Sequence, residues 1–159
     1  MRLSVVMGGT IGFGMVLMGV MLGSPLEVFL DPTSIVLVVN LTAAFLLQAH
    51  GVAGCRNIVK AVKCWLGSKS LPPEQFVDTR RVVETGATAT QKAGVTTALI
   101  SVIQILHFTG ADNLDTLGPA LAFCFLGYFY AHCINLVFWQ PLGRWLTQPD
   151  PGLAADIPA

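Results

Sequence analysis

Four stretches of this chain run without a charged side chain for long enough to cross a bilayer, at residues 3–26, 32–55, 93–111 and 116–143. About 20 consecutive apolar residues suffice for a helical span. The windows therefore lead to an all-α fold, a four-transmembrane-helix integral membrane protein. Composition agrees: 11% of the residues are charged and 53% hydrophobic, whereas a soluble domain carries about 25% charged residues. A signal peptide is the rival reading of the first window, because Arg2 precedes it. That run exceeds the usual length of about 7 to 15 apolar residues, and it lacks a small-residue cleavage site.

The nine Lys and Arg balance nine Asp and Glu, so nothing suggests a nucleic-acid partner. Their placement is uneven. Arg2 precedes the first window, Arg56, Lys60, Lys63, Lys69, Arg80, Arg81 and Lys92 lie between the second and third, and Arg144 follows the fourth. The links at 27–31 and 112–115 carry acids alone. By the positive-inside rule both termini and the central segment face the cytoplasm. This is the expected topology of a multi-pass protein of a bacterial inner membrane.

Cys55, Cys64, Cys124 and Cys133 lack metal-ligand spacing. Two fall in a span and two face a reducing cytoplasm, so neither disulfide nor metal is expected. No residue stands out as a nucleophile or general base, no cofactor is implied, and an enzyme is not expected.

Along the chain, Gly8/Gly12 and Gly19/Gly23 have the spacing that lets helices approach closely. They are assigned to packing, within the chain or against another subunit. The turn Asp31-Pro32-Thr33-Ser34 suits a chain reversal, with Thr33 or Ser34 expected as the cap of the second helix. The second span covers 35–50, contains Asn40, and leaves the membrane near Gly51, with His50 at the boundary. In 56–66, Arg56, Lys60 and Lys63 recur at i, i+4, i+7, which predicts a short amphipathic helix facing lipid headgroups or a partner.

Residues 1–66 thus hold the first two spans and this extension. Residues 67–84 form a short cytoplasmic link in which 74–84 resumes a helix, 85–146 hold spans three and four, and 147–159 are a flexible tail. The cytoplasmic segment is too short for a core of its own. The third span is expected to continue a helix that starts near Asp78, with Lys92 reaching back to the inner surface. Thr90, Thr97, Ser101 and Gln104 place a polar stripe along it, either bonded within the helix or lining a hydrated path. His107 is read as interfacial. In the fourth span His132 is read as a packing histidine with Asn135 as its same-face neighbour.

Two pieces of this sequence resemble the MotA branch of the MotA/TolQ/ExbB family. One is the link Phe29, Asp31 and Ser34 before the second span, in F-x-D-x-x-S order. The other is the fourth span, opened by Gly118-Pro119-Ala120 and closed by Pro141. The similarity covers roughly 8–66 and 85–146. It implies an oligomeric ring subunit, a homopentamer around a MotB/ExbD-like single-span membrane protein whose aspartate carries the ion. No span here contains a central Asp or Glu, so the carboxylate would come from that partner.

By position Gly94, Val95 and Thr96 correspond to the family's third-span Gly-Thr region. Gly127 and Tyr128 stand where sodium-type members have two threonines, which favours H+ over Na+. Thr96, Thr97, Ser101, Gly127 and Tyr128 are therefore the expected ion pathway or partner-facing lining. The family's long cytoplasmic insertion is missing, so a flagellar rotor is not an expected partner. A proline expected near Thr88 is also absent. The expected function is that of an ion-driven motor or proton channel using the proton motive force. The rivals are a stand-alone four-span transporter, for which His132 is the single candidate ionisable group, and a non-conducting scaffold.

Overall fold

The computed structural model describes residues 2–23, 29–67, 71–109 and 114–147. Its elements are α1 (Arg2–Gly23), α2 (Pro32–Leu66), α3 (Pro73–Thr109), α4 (Leu114–Ile134), a π-turn at Asn135–Trp139 and α5 (Gln140–Thr147). The protein is all-helical among the described residues. The segments Pro32–Leu66 and Leu121–Thr147 are long and apolar enough to cross a membrane, and Met7–Gly23 is a shorter apolar helix. The tail at 148–159 lies outside the described residues.

Asp31 caps α2. Its carboxylate accepts from the Thr33 N–H at 3.0 Å, the Ser34 N–H at 3.3 Å and the Ser34 hydroxyl at 2.5 Å. This corrects the expected cap at Thr33 or Ser34. Pro32 has no N–H to lose and a fixed φ, so it belongs in the first turn and the residue before it becomes the cap. Tyr130 of α4 ties the cap down: its hydroxyl accepts from the Asp31 N–H at 2.8 Å and donates to the Phe29 carbonyl. The Phe29 and Phe129 rings meet beside it, with centroids 6.0 Å apart.

At Gly51 α2 breaks, with φ 62° and ψ −171°, a conformation essentially reserved for glycine. The break falls where the sequence placed the end of the second span. Beyond it Gly54, Ile58 and Ala61 turn inward, and Arg56, Lys60 and Lys63 stay exposed. Part of the segment at 67–84 read as a link is α3, which begins at Pro73. The part of α2 after Gly51 and the start of α3 therefore pack as a helical hairpin.

Contacts fix the directions of the helices. His50 meets Thr85 and Gly54 lies against Val82, while Gly94 lies against Ala131 and Gly127 against Thr97. Numbers rise on one helix as they fall on the other, so α3 runs antiparallel to both α2 and α4. The main core joins the hairpin to the end of the fourth helix: Leu46, Ile58, Ala61, Leu71, Val82 and Val83 pack with Trp139, Leu142, Trp145 and Leu146. The hairpin thus does not need a separate core, because α5 supplies the opposing apolar face.

Pro119 and Pro141 do not bracket the fourth helix as expected. α4 starts at Leu114, which places Pro119 inside it, and the helix continues past Pro141 to Thr147; the Pro119 side chain is outside the described residues. Pro141 cannot donate, and its ring crowds the carbonyl four residues earlier. The π-turn just before it widens the helix there, with the Gln140 N–H bonding to the Asn135 carbonyl.

α1 touches the rest of the protein at one end, where Gly9 faces Pro141 and Gly12 faces Leu136, each at 3.7 Å. Among the described residues nothing lies within 4 Å of a Cβ added at Gly8 or Gly19, so neither marks a close helix approach there. Ile11, Met15, Met18 and Leu22 are exposed along one side of α1, and Val95, Leu99, Ile103 and Leu106 along one side of α3. Continuous apolar faces of this extent mark contact with lipid or other protein.

Candidate functional site

The α3–α4 seam is built on glycines. A Cβ at Gly94 would collide with the Ala131 Cβ and come within 3.1 Å of the Gly127 carbonyl oxygen. One at Gly127 would lie 2.7 Å from the Thr97 Cγ2. One at Gly86 would strike the Trp139 ring. Small residues let two backbones approach in this way.

Polar groups line the same seam. Trp139 Nε1 donates to Thr90 Oγ1 at 2.7 Å, and that hydroxyl donates to the Gly86 carbonyl at 2.8 Å. Asn135 Nδ2 donates to the Ala87 carbonyl at 3.0 Å. The π-turn carries both Asn135 and Trp139, so the widened helix aims a polar pair at α3. π-turns of this kind are frequent at functional sites. Sequence reading missed this cluster. Its signal was present in Gly86, Thr90 and Asn135, yet pairing them requires knowing that α3 and α4 run antiparallel in this register.

Thr97 differs from its neighbours. Thr85, Thr88, Thr90 and Thr96 each donate to the carbonyl four residues back. Thr97 is fully buried and its hydroxyl has no hydrogen-bond partner. Its Cβ and Cγ2 occupy the space over Gly127, and in that rotamer the oxygen is left unpaired. Thr79 Oγ1, in the hairpin, is the other such atom among the described residues.

The five expected lining residues do not share one surface. Thr97 and Gly127 are buried in the seam, and Ser101 is half-buried on the same helix. Half-buried Thr96 and exposed Tyr128 instead line an open groove with Phe45, Gln91, Lys92 and Val95, of about 520 Å³. Adjacent positions on a helix point 100° apart, so Thr96 and Thr97 cannot face the same way. Of the polar stripe, Thr90 and Thr97 are buried while Gln104 is exposed. His132 is exposed although Asn135 is buried, so the two do not act as a pair.

At the end of the hairpin beside Gly51, His50 Nε2 lies 2.9 Å from Thr85 Oγ1. Thr85 spends its one proton on the Arg81 carbonyl, so His50 is the donor in that bond. No group of His, Cys, Asp and Glu that could hold a metal occurs among the described residues. α2 contains no acid, and α3 contains none beyond Glu84. No family, curated protein or solved structure matches this chain.

Proposed function

We propose that the chain is the ring subunit of an ion-driven motor or proton channel, a homopentamer around a MotB/ExbD-like single-span partner that supplies the membrane carboxylate. In this reading all four apolar segments span a bacterial inner membrane with both termini in the cytoplasm. Thr97, Ser101 and Gly127 form the ion path at the α3–α4 seam, and Thr96 and Tyr128 flank it on the open side. Gly8, Gly12, Gly19 and Gly23 serve subunit packing, a reading supported by the open space at Gly8 and Gly19 among the described residues.

One observation carries the proposal. Thr97 places a buried hydroxyl without a partner between two apolar helices, where such an atom costs free energy unless a mobile water or ion meets it. The absence of acids from α2 and from the apolar part of α3 supports a carboxylate from elsewhere. A single free oxygen does not replace the hydration shell that a dehydrated sodium ion needs, which favours protons. The short hairpin at 52–85 is consistent with an output other than a flagellar rotor.

The test is proton flux in liposomes holding the chain with a single-span candidate partner. Flux should fall with a partner Asp→Asn and with Thr97→Val, which keeps the shape and removes the hydroxyl. Flux that ignores both changes would overturn the channel reading. Transport of a solute by the chain alone would favour the stand-alone transporter.

A further inference from the structure

The groove beside the seam contains an unpaired cation at membrane depth. Thr85 stands level with the Gly51 break through its contact with His50, and Lys92 lies two turns further along α3, about 10 Å deeper at 1.5 Å per residue. No other Lys or Arg occurs on α3 beyond Lys92. The single ion pair among the described residues is Arg80–Glu84, so Lys92 has no carboxylate within ion-pairing reach there. A cation at this depth needs an anion or a path back to the headgroups, and no acidic side chain lines the groove to supply the anion. Phe45 and Val95 form apolar walls, while Gln91 and Tyr128 carry donors. The Thr96 hydroxyl already donates to the Lys92 carbonyl and is left as an acceptor.

We infer that this groove binds one anionic phospholipid of the inner leaflet. Its phosphate pairs with Lys92 and takes hydrogen bonds from Gln91 and Tyr128, and its acyl chain lies along Phe45 and Val95. The argument for a lipid is the combination itself: a lone cation at the height its stem can carry back to the phosphate layer, above a wall that matches a hydrocarbon chain. The inference needs only the membrane part of the function proposed above, not the motor.

The experiment is native mass spectrometry of the detergent-purified chain with phosphatidylglycerol and with phosphatidylcholine. Phosphatidylglycerol should bind about fivefold better, as one basic contact warrants. Lys92→Gln should abolish that preference, while Lys92→Arg and the surface control Lys60→Gln retain it. Phe45→Ala should weaken long-chain phosphatidylglycerol more than the six-carbon form, which separates a lipid from free phosphate. Unchanged thermal unfolding of Lys92→Gln confirms that its fold is intact. Equal loss in Lys60→Gln, or no preference at all, would overturn the inference. A Lys92→Gln variant that loses a co-purified single-span partner but keeps its lipid preference would assign the groove to that partner's carboxylate instead. Recovery of the chain in the soluble fraction would overturn the membrane reading itself.

Discussion

Gly94→Ala tests the seam most directly, because helix propensity and packing predict opposite signs. In an exposed helix the change stabilises by about 1 kcal/mol. Here the new methyl would collide with the Ala131 Cβ and press on the Gly127 carbonyl oxygen at 3.1 Å and the Tyr128 Cα at 3.3 Å. Forcing a methyl into a packed contact costs about 1 to 3 kcal/mol, and two of these three neighbours are backbone. We expect a net loss of about 2 kcal/mol. Ala131→Gly alone should lose about 1.5 kcal/mol through propensity and a small void. The double variant moves the methyl across the seam and conserves volume, so it should lose only about 1 kcal/mol, a coupling of about 2.5 kcal/mol. The assay is unfolding in mixed detergent–dodecyl sulfate micelles, followed by tryptophan fluorescence. Gly14→Ala, at a position with nothing within 4 Å of the new methyl, is the control and should be neutral or stabilising. Additive single effects, or a stabilising Gly94→Ala, would refute the close α3–α4 approach.

Other outcomes follow from the same geometry. Gly51→Ala should cost about 1 to 3 kcal/mol in that unfolding assay, because the residue sits at φ 62°; a neutral result would mean that α2 runs unbroken. Asp31→Ala should cost about 1 kcal/mol through the lost cap, and Asp31→Asn, which keeps an acceptor oxygen, should recover most of it. Trp139→Phe removes the bond to Thr90 and should lose about 1 kcal/mol, with a smaller loss when Thr90 is already Val, since the pair is then broken beforehand.

The link Phe29, Asp31 and Ser34 illustrates what motif reading gains from coordinates. As sequence it was a piece of family resemblance; in the structure it is a cap held to α4 by Tyr130. His132 and Asn135 illustrate the reverse. Their spacing suggested a pair, but Asn135 is buried against the Ala87 carbonyl while His132, one turn earlier, stays exposed. Where a neighbouring helix stops covering a face is invisible to periodicity.

What the sequence alone determined is the all-helical plan, the apolar segments, the end of the second apolar stretch near Gly51 and the exposed basic row of Arg56, Lys60 and Lys63. These depend on local chemistry: a long apolar run is best served by a helix that satisfies its own backbone, and charge stays in water. Tertiary structure decided that Thr97 is buried with its hydroxyl unpaired, that Thr96 and Tyr128 look onto a groove shared with Lys92, and that α5 closes the hairpin's core. Each of these depends on which helix lies opposite and in what register. That register is set by glycine contacts and a π-turn, where a single methyl or one extra residue per turn changes which side chains meet.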